Sequence, residues 1–372
     1  MKVVKTIDVI VVGAGSAGIG VAVVLKRMGI NFQILEKEEI GASFKKWPEE
    51  TQFISPSFTG NFFKMPDLNA ITPETSPAFN LLTEHPTGEE YQEYLETVSE
   101  FYKLDINTGV TVETVHKKKG TFIVMTNKGE YHSQFLIWAA GEYQYPDRRA
   151  FKGSELCMHY SDISSFEEIK TDERIVIGAY ESGCDAAINL CREGTSVTLL
   201  DRSNSFELVN SDSSYSLSPF TRDRLIEEDL NFEYKPESGV KEVRFDKGKY
   251  VAETVSNKQF ISSHKPINCT GFTSSLSLIE SLFETHEGYP ILNNFDESTK
   301  TKNLFLVGPQ VKHGNALFCF IYKYRQRFSI VANRIAVRNK IDNSIIKRVV
   351  QDYKDANFYL KDLACCDGEC VC

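Results

Sequence analysis

The stretch Asp8-Val9-Ile10-Val11-Val12-Gly13-Ala14-Gly15-Ser16-Ala17-Gly18 decides the fold. Val9 to Val12 read as a buried parallel strand, Gly13 to Gly15 as a tight turn, and Ser16 onward as the start of a helix. Gly13 permits the turn, Gly15 lets the backbone approach a pyrophosphate, and Gly18 lets the helix pack closely on the strand. The helix continues through Ile19, Val21, Ala22, Val23, Val24 and Leu25 and stops at Gly29, in the place of a C′ glycine. A second strand, Asn31 to Leu35, ends in Glu36, 23 positions after Gly13. That reach suits a carboxylate taking both hydroxyls of an adenosine ribose. The order of strand, glycine turn, helix, strand and acid predicts a dinucleotide-binding βαβ unit.

The whole chain is 372 residues long, which makes two domains the natural expectation. It is 41% hydrophobic and 12% aromatic, enough for real cores. A formal net charge of −9 argues against a general nucleic-acid binder or a basic membrane-surface protein. Asp8 interrupts the apolar N-terminus, and no apolar run approaches the ~20 residues of a membrane span. The expectation is a cytoplasmic protein that contacts neither nucleic acid nor membrane. Nine cysteines, five of them scattered, do not form a secreted disulfide framework.

Outward from the first unit, the residues between Gly41 and Pro86 are rich in phenylalanine and proline and read as irregular loop with short helix. Thr87 and Glu90 form a capping box for a helix carrying Tyr91, Leu95, Val98 and Tyr102. A strand meander turns at Asn127-Lys128-Gly129 and returns through Phe135 to Gly141. The opening pattern then recurs. Arg174-Ile175-Val176-Ile177-Gly178-Ala179-Tyr180-Glu181-Ser182-Gly183 is a second strand, turn and helix start, and Asp201 follows Gly178 by the same 23 positions. This copy closes on Cys269-Thr270-Gly271, the counterpart of Ala139-Ala140-Gly141. The glycines of the first copy are 128 positions apart and those of the second 93, so the first carries 35 extra. The aromatic segment is the place for them, and an insertion in one copy alone implies that its site was elaborated for chemistry. Later, Asn303 to Pro309 reads as another buried strand ending in Gly308, with a helix expected to begin near Asn315 and run to about Arg338.

Two fingerprints, two return strands and Gly308 together resemble the two-dinucleotide-domain flavoprotein reductases. The likeness is greatest to the flavin-containing monooxygenase-like branch, with the bacillithiol-disulfide-reductase-like proteins near it. Gly41-Ala42-Ser43-Phe44 resembles that branch's Gly-Gly-Thr-Trp element, Lys46-Trp47-Pro48 its Arg-Tyr-Pro element, and Phe151, Gly153 and His159 its Phe-x-Gly…His linker. The resemblance implies an α/β fold of two Rossmann-like domains, the NAD(P)-binding domain inserted into the FAD-binding domain. The expected boundaries are 1–152 and 272–345 for the FAD domain, 153–271 for the NAD(P)H domain, and 346–372 for a helix and cysteine-rich tail.

It also implies the sites. Gly13, Gly15, Ser16, Ala17 and Gly18 would hold the FAD pyrophosphate, with Glu36 and Lys37 at the ribose and Val112 at the adenine. Ser43, Phe44, Trp47, Ala140 and Gly141 would lie near the flavin, and Gly308 and Asn315 at its ribityl chain and pyrimidine edge. Gly178, Tyr180, Ser182, Gly183 and Arg202 would hold NADPH. Asp201 suits NADH and Arg202 the 2′-phosphate of NADPH, so NADPH is favoured and NADH kept as the alternative.

The departures narrow the chemistry. Tyr180 replaces the middle glycine of the second fingerprint, and Pro309 stands where relatives carry an acid. Ser55-Pro56-Ser57 replaces a monooxygenase asparagine, with Asn61 close but out of register. Ile163 stands where a Baeyer–Villiger enzyme has an aromatic residue, and neither nucleotide domain holds a Cys-x-x-Cys pair. His159 and His313 are open as acid–base groups or as structural histidines, and Trp47 as a flavin neighbour or a core aromatic. Cys365, Cys366, Cys370 and Cys372 suit a soft metal, a thiol relay or free thiols. The activity implied is an FAD-dependent NAD(P)H oxidoreductase acting on a small molecule, foremost a monooxygenase and alternatively a thiol–disulfide reductase. A homodimer is held open as the assembly.

Overall fold

The computed structural model describes residues 4–210, 212–227 and 230–364. The four tail cysteines lie outside the described residues. The opening stretch folds as β1 (Val4–Val12), α1 (Ser16–Arg27) and β2 (Phe32–Leu35). Every residue from Ser16 to Leu25 is buried, because β1 and β2 cover one side of α1 and later helices the other. Met28 closes the helix and Gly29 takes φ +72° behind it, the left-handed geometry that favours glycine.

The aromatic insertion contains α2 (Ala42–Lys45) and α3 (Pro77–Leu81) and leads into α4 (Gly88–Phe101). Thr87 and Glu90 form the reciprocal capping box at the start of α4. Then come β3 (Ile106–Asn107), β4 (Val112–Lys118), β5 (Thr121–Thr126) and β6 (Gly129–Trp138). The sheet order is β3-β2-β1-β6-β5-β4. β6 divides its pairing: its first half runs antiparallel to β5, and its last residues run parallel to the strand Leu304–Leu306. Residues on both sides of the second fingerprint therefore build one sheet.

The second unit comprises β7 (Met158–His159), β8 (Glu173–Ile177), α5 (Glu181–Arg192), β9 (Ser196–Leu200), α6 (Pro219–Glu227) and β10 (Phe232–Lys235). An antiparallel meander follows, β11 (Val240–Asp246), β12 (Lys249–Thr254) and β13 (Gln259–Ser262), and β14 (Ile267–Asn268) returns to the sheet. The parallel order is β10-β9-β8-β14-β7. This is the doubly wound α/β arrangement, in which ligands bind beyond the carboxyl ends of the strands.

The chain closes with α7 (Ile321–Tyr324), α8 (Phe328–Arg338) and α9 (Asn343–Asp355). The helix expected from Asn315 is not there. Lys312–His313 pairs with Ala316–Leu317 as a hairpin whose turn is Gly314-Asn315, with Gly314 at φ +52°. Gly-Asn is hairpin-turn chemistry, and helix begins only at Ile321. No described helix is long and apolar enough to cross a membrane.

Candidate active site

The two fingerprints repeat each other in atomic detail. Gly13 has φ +104°, and a Cβ there would sit 2.5 Å from the Ala139 carbonyl oxygen. Gly178 has φ +101°, and its Cβ would sit 2.6 Å from the carbonyl oxygen of Cys269, the counterpart of Ala139. Cβ atoms on Gly18 and Gly183 would fall 1.9 and 1.7 Å from the carbonyl oxygens of Gly13 and Gly178. These four glycines are fixed by helix–strand approach. Gly15 differs, since nothing lies within 4 Å of its Cβ position. It caps α1 without a side-chain hydrogen bond, and the first turn carries no acid. The free N–H groups and positive helix end thus open onto space, the arrangement that receives a phosphate.

That space is a cavity of about 680 Å³. Gly13, Gly15, Ser16, Ala17, Glu36, Lys37, Ser43, Phe44, Trp47, Val112, Ala140 and Gly141 all line it. Glu36 is buried at the end of β2, where its carboxylate accepts from the backbone N–H groups of Ala14 at 2.7 Å and Glu38 at 2.8 Å. Burial raises its pKa against those two bonds. Trp47 meets both of its readings. It lines the cavity and also packs on Phe44, Phe53 and Tyr143, with ring centroids 5.4, 4.9 and 6.3 Å away.

The cavity continues to the second fingerprint, where Glu181, Ser182 and Asp185 of α5, and Tyr160 of the linker, form part of its wall. Asp185 anchors that wall. It accepts from Thr51 at 2.7 Å and Tyr160 at 2.8 Å, and pairs with buried Arg224 at 2.9 Å.

Tyr180, in the place of the middle glycine, turns its ring away from the cavity and donates to the Ser216 carbonyl at 2.8 Å. Asp201 is buried and accepts from Ser205 N at 2.6 Å, Tyr234 OH at 2.7 Å and Ser203 N at 3.0 Å. Burial works against its ionisation, but those bonds win and lower its pKa. Arg202 is exposed, without an ion pair among the described residues.

Several candidates lie away from the cavity wall. His159 is buried, with Nε2 3.0 Å from the Gly271 carbonyl and Nδ1 accepting from Ser161 N at 3.1 Å. His313 sits 2.6 Å from Asp296, which also pairs with Arg327. Asn61 spends its amide on the Pro73 and Thr75 carbonyls and accepts from Asp67 N, holding the insertion loop together. The polar atoms of all three face the protein's own backbone, hydroxyls and carboxylates. Asn315 is the hairpin turn. Gly308, at φ +119°, packs on Ala17, while its neighbour Pro309 reaches the cavity.

The wall also holds residues that belong to no motif. Glu142, Tyr143, Gln144 and Tyr145 follow the first return strand directly, a polar and aromatic run that marks the mouth of the strand ends. Glu142 has its pKa raised by burial, with Gln310 as a hydrogen-bond partner. Among the described cysteines Cys319 alone lines the cavity. Its thiol is raised by burial and lies 3.0 Å from Ser214 Oγ, which in turn is 2.7 Å from Lys323 Nζ.

Comparison with known proteins agrees with this architecture. A bacilliredoxin reductase, Bdr, of Bacillus subtilis is 24% identical over 339 residues, covering 88% of this chain and 97% of its own. A probable indole-3-pyruvate monooxygenase of Arabidopsis thaliana is 28% identical over 203 residues, covering 52% of this chain and 46% of its own. The structure of a bacillithiol disulfide reductase (Bdr, YpdA) from Staphylococcus aureus superposes with a TM-score of 0.73 at 22% identity, over 90% of this chain and 99% of that one. A flavin-containing monooxygenase from Stenotrophomonas maltophilia gives 0.69 at 16% identity, over 90% and 99%. The family model described as pyridine nucleotide-disulphide oxidoreductase matches residues 10–308. The chain belongs to that family of flavoprotein oxidoreductases, which implies FAD and NAD(P)H as its cofactors.

Proposed function

We propose that the protein is an NADPH-dependent flavoprotein reductase of a low-molecular-weight disulfide. The observation that carries this is the single cavity touching both fingerprints, combined with a bacilliredoxin reductase that aligns over nearly its whole length. The monooxygenase relative aligns over about half of its own. This reverses the order of the two activities that the sequence resemblance implied.

The residues fit FAD. Gly15 leaves open space before an uncapped helix end, so a diphosphate meets N–H donors and no Cβ. Glu36 holds its carboxylate beside that turn for the ribose, and the strand start at Val112 offers backbone to the adenine. Bound there, FAD supplies two-electron transfer between nicotinamide and substrate, so that NADPH, a proton and RSSR yield NADP⁺ and two RSH. Arg202 takes the 2′-phosphate, since Asp201 is committed to its own loop. The aromatic wall of Phe44, Trp47 and Tyr143 excludes water. Glu142, whose pKa burial raises, stands at the wall beside the strand ends as the acid–base group for the leaving thiolate. With no second cysteine beside Cys319 among the described residues, the substrate's own sulfur–sulfur bond receives the electron pair.

The test is anaerobic NADPH oxidation by the FAD-loaded protein against a panel of small disulfides, including bacillithiol disulfide. Two thiols released per NADPH are expected. In the same assay run in air, stoichiometric oxygen consumption with an oxygenated product, and no thiol release, would move the assignment to the monooxygenase reading.

A further inference from the structure

We propose that residues 212–216 form a strap that closes the NADPH site, pinned shut by the Asp212–Lys323 ion pair, and that the nucleotide enters only when the strap lifts. This rests on the reading of the second fingerprint as the nicotinamide-nucleotide site. Four consecutive residues of the strap hold partners on the stretch that runs from the Lys312–Leu317 hairpin into α7. Asp212 pairs with Lys323, and Ser213 meets the Tyr322 hydroxyl. Ser214 Oγ accepts from Lys323 Nζ at 2.7 Å and lies 3.0 Å from Cys319 Sγ. Tyr215 donates to the Asn315 carbonyl at 3.2 Å. The far end of the strap lies on the head of α5. The Ser216 carbonyl accepts from the Tyr180 hydroxyl at 2.8 Å, and just beyond it the Ser218 N–H donates to the Glu181 carboxylate at 2.5 Å.

Both anchors lie on the nucleotide's route. The head of α5 is where this fold seats a diphosphate. Cys319 and Phe320 belong to the cavity wall, where the nicotinamide end has to arrive. A strap tied to both stands across that route. The first fingerprint gives the contrast. Gly15 leaves its helix head open, whereas Tyr180, at the same position of the second, is tied to the strap. The hold is polar and reversible. No residue from 212 to 216 is buried, so the strap rests on hydroxyls, a carbonyl and one ion pair that water can replace. Such a segment, without buried apolar contacts, opens locally while the rest of the fold stays intact. Beyond it, buried Leu217 and the Glu181 carboxylate, which also accepts from Thr221 Oγ1 at 2.6 Å, fix the hinge.

The test uses the full-length, FAD-loaded protein, with NADP⁺ affinity read by calorimetry and flavin reduction by NADPH read in stopped flow. Ser214→Cys sets a second sulfur beside Cys319 Sγ, within a small shift of bonding distance. Mild oxidation then staples the strap shut, and dithiothreitol frees it. Peptide mass spectrometry verifies the bond, and wild type oxidised in parallel controls for the other cysteines. The stapled protein is expected to keep its flavin absorbance and to bind NADP⁺ about 100-fold more weakly. Reduction of the staple restores both NADP⁺ affinity and flavin reduction. Lys323→Met, which removes the pin and keeps the stem, is expected to bind NADP⁺ about three- to tenfold more tightly, because less of the free protein is closed. A stapled protein that binds NADP⁺ as well as the freed one overturns the proposal. So does a Lys323→Met protein whose affinity is unchanged or weaker. Wild type that binds neither NADP⁺ nor NADH would instead remove the second fingerprint as a nucleotide site, and the strap's role with it.

Discussion

The hydroxyl of Thr51 and the carboxylate of Asp185 share a 2.7 Å hydrogen bond although 134 residues separate them. One belongs to the insertion of the first fingerprint, the other to the helix of the second. Tyr160 of the linker completes the triangle, 2.7 Å from Thr51 and 2.8 Å from Asp185. The wall of the shared cavity is thus also the joint that sets one nucleotide unit against the other. Thr51→Val removes a charge-assisted bond and should cost about 1.5–3 kcal/mol of stability. Asp185→Ala strands the buried Arg224 guanidinium and should cost about 3–5 kcal/mol. Urea denaturation of both variants measures this. Thr51→Val combined with Tyr160→Phe should be less than additive, because the two hydroxyls serve one carboxylate.

The three glycines of the first fingerprint should separate folding from flavin binding. Gly13→Ala forces a Cβ to 2.5 Å from a backbone oxygen at φ +104°, and Gly18→Ala forces one to 1.9 Å. Both should lower the melting temperature and lose FAD together. Gly15→Ala has free space and an ordinary φ of −83°. Its apoprotein should melt within about 0.5 kcal/mol of wild type, while FAD affinity falls by tenfold or more as the methyl group enters the phosphate space. Thermal melts of apoprotein beside flavin titrations decide this. An apoprotein Gly15→Ala that unfolds like Gly13→Ala would contradict the geometry.

His159 should behave as a structural histidine with a defined pH signature. Burial lowers its pKa below the ordinary 6.5. Nε2 donates to Gly271 O while Nδ1 accepts from Ser161 N, a pattern that needs the neutral ring. The unfolded chain takes up a proton near pH 6.5 and the native ring resists it. This stability is therefore present above that pH and lost as pH falls through the native pKa. Wild type should lose more melting temperature than His159→Gln on going from pH 7.5 to pH 5.5. The pH dependence of kcat/KM should be the same for both.

What the sequence made legible was what repeats at fixed spacing. Both fingerprints, both 23-residue reaches and both return strands stand where the glycines placed them, because close backbone approach admits no other residue. The capping box at Thr87 and Glu90 is equally local. The joint was hidden, since Thr51, Tyr160 and Asp185 meet only when two units pack and none has a local pattern. Cys319 has no local pattern either, because it reaches the wall just after the hairpin of Lys312–His313 and Ala316–Leu317. There the turn chemistry of Gly314-Asn315 prevails over the helix expected to begin near Asn315.

The choice of nucleotide rests on two adjacent residues with opposite commitments. The Asp201 carboxylate is engaged by Ser203, Ser205 and Tyr234, so little acceptor capacity remains for the two ribose hydroxyls of NADH. Arg202 is exposed at the same strand end, and its stem lies against Gly239, where a Cβ would come within 3.0 Å of Arg202 Cγ. A guanidinium bonded to a phosphate contributes about 1.5–3 kcal/mol. Arg202→Ala should therefore raise the KM for NADPH by roughly 10- to 100-fold and leave that for NADH within about twofold. Asp201→Asn should chiefly loosen the 203–205 loop and lower the melting temperature. Steady-state kinetics with both nucleotides on the FAD-loaded variants separates the two. An Arg202→Ala protein that keeps its NADPH preference would place the 2′-phosphate elsewhere and return Asp201 to the role of nucleotide ligand.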